Sequence, residues 1–149
     1  MNEDAFRVMD LAMKGFQCSQ ILMVLALDAL GKKNEDLVRA MSGLLGGMGC
    51  GKTCGVMTGG CCVLGLHAGS GTPNGIADER LGGMLTEFVE WFESEYKTRF
   101  GSIECDGIVQ GDMRNRMARC PGIIVESLAQ LKEILAENNH EFDSPNPTV

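Results

Sequence analysis

The sequence predicts an all-α protein, a single-domain compact helical bundle of about five to six helices around a buried glycine-rich central helix. Three observations predict it. Apolar residues recur at three-and-four spacing along most of the chain, and almost no stretch alternates with the period of a strand. The longest stretch without Asp, Glu, Lys or Arg, Thr53 to Ala77, opens with residues that are small or apolar on every side.

Ala5, Met9, Ala12, Met13 and Phe16 share one helical face; after Gly15 the pattern restarts with Cys18, Ile21, Leu22, Leu25 and Ala29, which turns Cys18 inward. Gly31 and Lys32-Lys33-Asn34 break the run, and Leu37, Val38, Met41, Leu44, Leu45 and Met48 predict a further helix. The central helix spans Cys54 to about Ala68, where Gly55, Gly59, Gly60 and Gly65 lower helix propensity and permit close backbone approach. A loop at Gly69–Gly75 precedes an amphipathic helix with Leu81, Met84, Leu85, Phe88, Phe92 and Tyr96 on one face, ending near Arg99. Gly101–Gly111 reads as a loop carrying Cys105. Pro121 reads as the first position of the last helix, whose apolar face is Ile124, Leu128, Leu131 and Leu135. Residues 1–142 are expected to form the domain and 143–149 a disordered tail.

A chain of 149 residues is long enough to bury roughly two thirds of its unfolded surface, so it needs no disulfides for stability. Thirteen basic against twenty acidic residues give a net charge of -7, with no basic stripe to neutralise phosphates, which argues against nucleic acid as a partner. The glycines and polar residues after Gly55 argue against a membrane span. The acidic start, without an apolar run and small-residue cleavage site, predicts a cytoplasmic protein. In that reducing compartment seven cysteines imply redox cycling, metal ligation or burial rather than a permanent disulfide framework.

Gly46 to Thr53 satisfies the phosphate-loop pattern G-x-x-x-x-G-K-[ST]. That loop works by joining a buried strand to a helix, whereas residues 35–48 are helical by period. The better reading is a glycine-rich turn between packed helices, with Lys52 exposed.

Thiols react, and bind metals, as thiolates, so a working cysteine wants a helix N-terminus or a nearby cation. Cys54 meets this at the start of the central helix, two residues after Lys52, and Cys120 meets it before Pro121, beside Arg119. Cys61 lies about 20° from Cys54 around the helix but about 10 Å along it, too far to bond, and Cys62 points elsewhere. Core filling is the expectation for both. Cys50 and Cys54, in Cys-x-x-x-Cys spacing, could meet across a turn. His67 is expected to be a satisfied helix-end residue, His140 to be solvated near the tail, and the ten methionines to fill core positions.

Gly15-Phe16-x-Cys18-x-Gln20, Gly46-Gly47-Met48-Gly49, Cys54-Gly55-Val56-Met57-Thr58-Gly59 leading into Val63-Leu64-Gly65-Leu66, Gly101-Ser102-x-x-Cys105 and Arg119-Cys120-Pro121 together resemble the C_GCAxxG_C_C family of putative redox-active proteins, over about residues 5–135. The resemblance places the family's four cysteines on Cys18, Cys54, Cys105 and Cys120, with Gly55 and Gly59 completing its Cys-Gly-Ala-x-x-Gly motif and Val56 in place of the usual Ala. It implies a redox role in anaerobic or facultative prokaryotes, often beside transport genes. Related forms carry selenocysteine in place of a cysteine, which favours redox chemistry over packing. Cys50, Cys61 and Cys62 lie outside the pattern; Cys50 could resolve a disulfide on Cys54 or add a ligand.

Three functions follow as expectations. The first is thiol–disulfide exchange or electron transfer with a redox partner protein, Cys54 attacking and Cys120, Cys105 or Cys18 resolving. The second is binding of zinc or an iron–sulfur cluster by Cys18, Cys54, Cys105 and Cys120, with Cys50 as a further donor. The third is a structural subunit with buried thiols, forming a homo-oligomer through an exposed apolar face along residues 81–96.

Overall fold

The computed structural model describes residues 2–144, and among these the chain forms seven α-helices and no strand. The helices are α1 (Glu3–Met13), α2 (Cys18–Ala29), α3 (Glu35–Ala40), α4 (Gly55–Ala68), α5 (Leu81–Phe100), α6 (Cys105–Val109) and α7 (Met113–Glu137). The count is seven rather than five to six because the segment predicted as a loop around Cys105 closes one helical turn, α6. Of the predicted tail, residues 145–149 lie outside the described residues.

Local chemistry sets the boundaries. Asn2 caps α1 by accepting from the Ala5 amide at 2.7 Å, and Gly15, at φ +98°, turns the chain into α2. Gln17 and Gln20 form a reciprocal cap at the start of α2, and Asn34 caps α3 through the Leu37 amide at 3.0 Å.

The helix predicted through Met48 stops earlier. α3 ends at Ala40, Met41–Leu44 tightens into a 3₁₀ turn, and Gly46 (φ 63°, ψ 31°), Gly47 (φ 62°), Met48 (φ 59°, ψ 37°) and Gly49 (φ 70°, ψ 4°) follow one another in left-handed conformation. Glycine favours this turn energetically, and Met48, with a side chain in a conformation L residues avoid, is 46% exposed rather than inward. No strand precedes the turn and Lys52 is exposed, so the phosphate-loop reading finds no support among the described residues.

α4 packs against α2, α5 and α7. A methyl group on Gly59 would stand 2.9 Å from Ser19 Cβ, and one on Gly60 would overlap the Phe88 ring, so these glycines let α2 and α5 approach the α4 backbone. On α5, Met84, Phe88, Phe92 and Tyr96 are fully buried by other parts of this chain. The predicted oligomer face along residues 81–96 is therefore already covered. Large exposed apolar side chains lie elsewhere, notably Phe6, Met9 and Met13 on α1 and Met113 and Met117 on α7, so not all methionines are core residues.

α7 begins at Met113, not at Pro121. Asp112 caps it through the Arg114 amide at 2.9 Å, which places Cys120 and Pro121 about two turns inside. A proline there removes the hydrogen bond that the Met117 carbonyl would accept, a cost of about 3 kcal/mol in an ordinary helix interior. Beyond α7, His140 is buried, 4% exposed, with Nε2 at 2.7 Å from Asp78 Oδ2, where solvation was expected. His67, a buried helix-end residue, has its two ring nitrogens 2.9 Å from the carbonyl oxygens of Val63 and Phe142, so that the ring N–H has an acceptor on whichever side it lies.

Candidate functional site

Cys18, Cys54, Cys105 and Cys120 come from four separate helical elements and line one cavity of about 200 Å³. Cys18 opens α2 and Cys54 is the residue before α4. Cys105 opens α6 and is tied to Cys54 through the backbone. Thr53 and Glu104 form an antiparallel bridge, flanked by bonds from the Cys54 amide to the Ile103 carbonyl (2.9 Å) and from the Cys105 amide to the Lys52 carbonyl (2.7 Å). Alternation along the bridge puts positions 54 and 105 on the same side. Cys120 faces the cavity from α7. Gly55 leaves room for the cluster, since a methyl group on it would stand 2.7 Å from Cys18 Sγ and 2.9 Å from the Leu44 carbonyl oxygen.

The rest of the wall is mostly apolar, with Val8, Phe16, Ile21, Val56, Ile123 and Ile124 among its residues. Burial therefore dominates the thiols. It pushes Cys54 up to about 12, against the opposing pull of the Val56 and Met57 amides at the start of α4, and the Cys18 and Cys120 thiols push the same way. Burial likewise pushes Cys18 up to about 11, opposed by the Ser19 amide and Arg116. Cys120 is raised by burial, with Arg116 pulling it back down and Cys105 adding to the rise. The helix start at Cys54 does favour its thiolate, as the sequence suggested, but desolvation outweighs it. Helix-start stabilisation does not apply to Cys120, which lies within α7.

The cation beside Cys120 is Arg116, not Arg119. Arg119 turns to the Ile108 carbonyl at 2.7 Å and lies over the Phe100 ring, 5.0 Å from its centroid. Arg116 lines the cavity one turn before Cys120, with its Nη1 3.5 Å from Gln17 Oε1. Sequence reasoning missed Arg116, Gln17 and Met117 as wall residues. The i,i+4 spacing of Arg116 and Cys120 would have exposed the first, had α7 been started at its Asp112 cap rather than at Pro121.

The other three cysteines lie apart. Cys50 is exposed on the left-handed turn, donates to the Gly47 carbonyl at 3.4 Å and does not line the cavity. Cys61 is half-buried against the core, whereas Cys62 is exposed, contrary to the core role expected of it. All seven stand as free thiols. Among the described residues no three His, Cys, Asp or Glu side chains are grouped so as to hold a metal ion.

No helix among the described residues is long and apolar enough to cross a membrane. Comparison with curated proteins and with solved structures gave no match to the chain. A family model described as "Putative redox-active protein (C_GCAxxG_C_C)" matches residues 16–134, a span that contains all four cavity cysteines together with Gly55 and Gly59. By that match over most of its length, the chain belongs to the C_GCAxxG_C_C family of putative redox-active proteins.

Proposed function

We propose that this protein carries out thiol–disulfide exchange through the cavity thiols. The observation that carries the reading is the convergence of Cys18, Cys54, Cys105 and Cys120, far apart in sequence, on one wall. Exchange needs only two sulfurs to meet at a time, whereas a metal centre needs three or four donors grouped at once, and that grouping is missing among the described residues.

Cys120 is the entering nucleophile in this scheme: burial raises its thiol, and Arg116, one turn away on α7, offsets part of that rise. It releases its proton to solvent and attacks one sulfur of a disulfide RS–SR; the S–S bond breaks, one RS⁻ leaves and takes up a proton, and a mixed disulfide forms on Cys120. Cys105, within electrostatic reach of Cys120, then loses its proton and attacks the Cys120 sulfur. The second RS⁻ leaves and is protonated, so the dithiol is oxidised by two electrons and RS–SR is reduced to two thiols. Cys54, marked by the sequence as the attacking thiolate, is placed with Cys18 as an inner pair reached by further exchange, since burial keeps both protonated.

The test is to purify the protein without oxygen, poise it in thiol buffers from about −320 to −120 mV, block free thiols and map disulfides by peptide mass. A reversible Cys105–Cys120 disulfide, lost in Cys120→Ser, is the expected result. Four thiols that remain reduced throughout, or stoichiometric metal held by all four, would overturn the reading.

A further inference from the structure

The chain carries a net charge of -7, yet none of its twenty acidic residues lines the thiol cavity. Among the described residues, the only charged one on that wall is Arg116. Among the described residues Arg116 forms no ion pair; its side chain has one hydrogen bond, a long one of 3.5 Å to Gln17 Oε1. The other arginines on this part of the chain are engaged, Arg114 with Asp112 and Arg119 with the Ile108 carbonyl. A half-buried guanidinium without a carboxylate, on a wall otherwise apolar or sulfur-bearing, is a recognition element in search of an anionic group.

We propose that the cavity selects small disulfides bearing an anionic, carboxylate-type group, and that Arg116, assisted by Gln17, is the residue that reads this charge. The proposal rests on the exchange reading and adds the substrate class to it. Size supports a small molecule: about 200 Å³ is somewhat larger than the roughly 150 Å³ apolar cavity that admits benzene, so one arm of a short disulfide fits and a folded protein does not. Position supports it too. Arg116 is one turn from Cys120, so a carboxylate held by the guanidinium keeps the sulfur of the same short arm near the Cys120 thiol. The reaction is the exchange already written, with RS–SR a carboxylate-bearing disulfide and two RSH as products.

The experiment measures oxidation rates of the reduced full-length protein by dithiodiglycolate (anionic), hydroxyethyl disulfide (neutral) and cystamine (cationic). Each rate is divided by that of the same reagent with a small neutral thiol in solution, which removes intrinsic reactivity. The expected order is anionic over neutral over cationic, with the anionic-to-cationic ratio falling about tenfold in Arg116→Gln, partly kept in Arg116→Lys, and declining with added salt. A merely structural role for Arg116 would slow all three reagents alike and leave the ratios untouched, and that result overturns the proposal while leaving exchange standing. Failure of all three reagents to oxidise any cavity thiol of the folded protein overturns both.

Discussion

Gly55 and Cys18 are in direct apposition: the α-carbon that opens α4 faces the sulfur that opens α2, and the gap between them has no room for a methyl group. The Cys-Gly pair at 54 and 55 is thus one device, in which the cysteine supplies a thiol and the glycine lets a second thiol approach it. Gly55→Ala would place a carbon 2.7 Å from Cys18 Sγ and 2.9 Å from the Leu44 carbonyl oxygen, and the backbone oxygen has little freedom to retreat. The expected loss is about 1–3 kcal/mol in urea unfolding, together with faster alkylation of Cys18 as its sulfur is displaced outward. Equal stability and unchanged Cys18 labelling would show that the apposition is not restrictive.

The buried thiols make the reduced protein sensitive to base. Cys54 and Cys18 are held up at about 12 and about 11, above the ordinary value of 9.0, so the folded state keeps protons that the unfolded chain gives up. Their contribution to stability is fully present below pH about 9 and is lost as pH rises toward the folded values. Each group adds up to about 1.4 kcal/mol per pH unit to the slope while it alone is ionised in the unfolded chain. Denaturant titrations of the reduced protein between pH 8 and about 11 should show this decline, and Cys54→Ala should flatten it even where its overall stability is lower.

Proton release enters the redox step at Cys120 as well. Oxidation of the Cys105–Cys120 pair releases the proton held by Cys120, whose thiol burial raises, so the midpoint potential of the pair should fall as pH rises through neutrality. Arg116→Gln removes the cation that favours the Cys120 thiolate, so its bend to a shallower slope should move to higher pH. A bend at the same pH in both proteins would place the charge of Arg116 outside the redox couple.

The long amphipathic elements were legible because three-and-four periodicity reports burial directly: α5 ends at Phe100 and its Met84, Phe88, Phe92 and Tyr96 face is buried. The resemblance likewise picked out the four cysteines that line the cavity, although spacing alone could not show that they share it. Three things were hidden. The left-handed run at Gly46–Gly49 continues an apolar helical period that the backbone does not follow. Pro121 looks like a helix start because prolines are rare two turns into a helix, and that misplaced start concealed Arg116. The balance at Cys54 depends on how deeply it is buried, a tertiary quantity that a helix-start argument omits.

His140 and Asp78 fasten the turn after α7 to the loop before α5. Their contact at 2.7 Å joins the turn after α7 to a residue whose own amide donates to the Ala68 carbonyl at 2.8 Å, at the end of α4. Hydrogen bonds from the Arg80 side chain and backbone, and then from His140, hold the Asp78 carboxyl far below its usual range. The sign follows from that depression: the carboxylate stabilises the fold above the unfolded value near pH 4 and loses this contribution as pH falls toward the folded one. Asp78→Asn keeps the shape and removes the charge, so it should cost about 1–3 kcal/mol at neutral pH and cost progressively less relative to the parent in acid. Because Asp78 and His140 do not line the thiol cavity, exchange rates at neutral pH should be unchanged in the folded variant. Parallel acid-unfolding curves for the two proteins would mean that the clamp holds through shape alone, and a change in the cavity thiols' reactivity would mean that the C-terminal turn and the cavity are coupled.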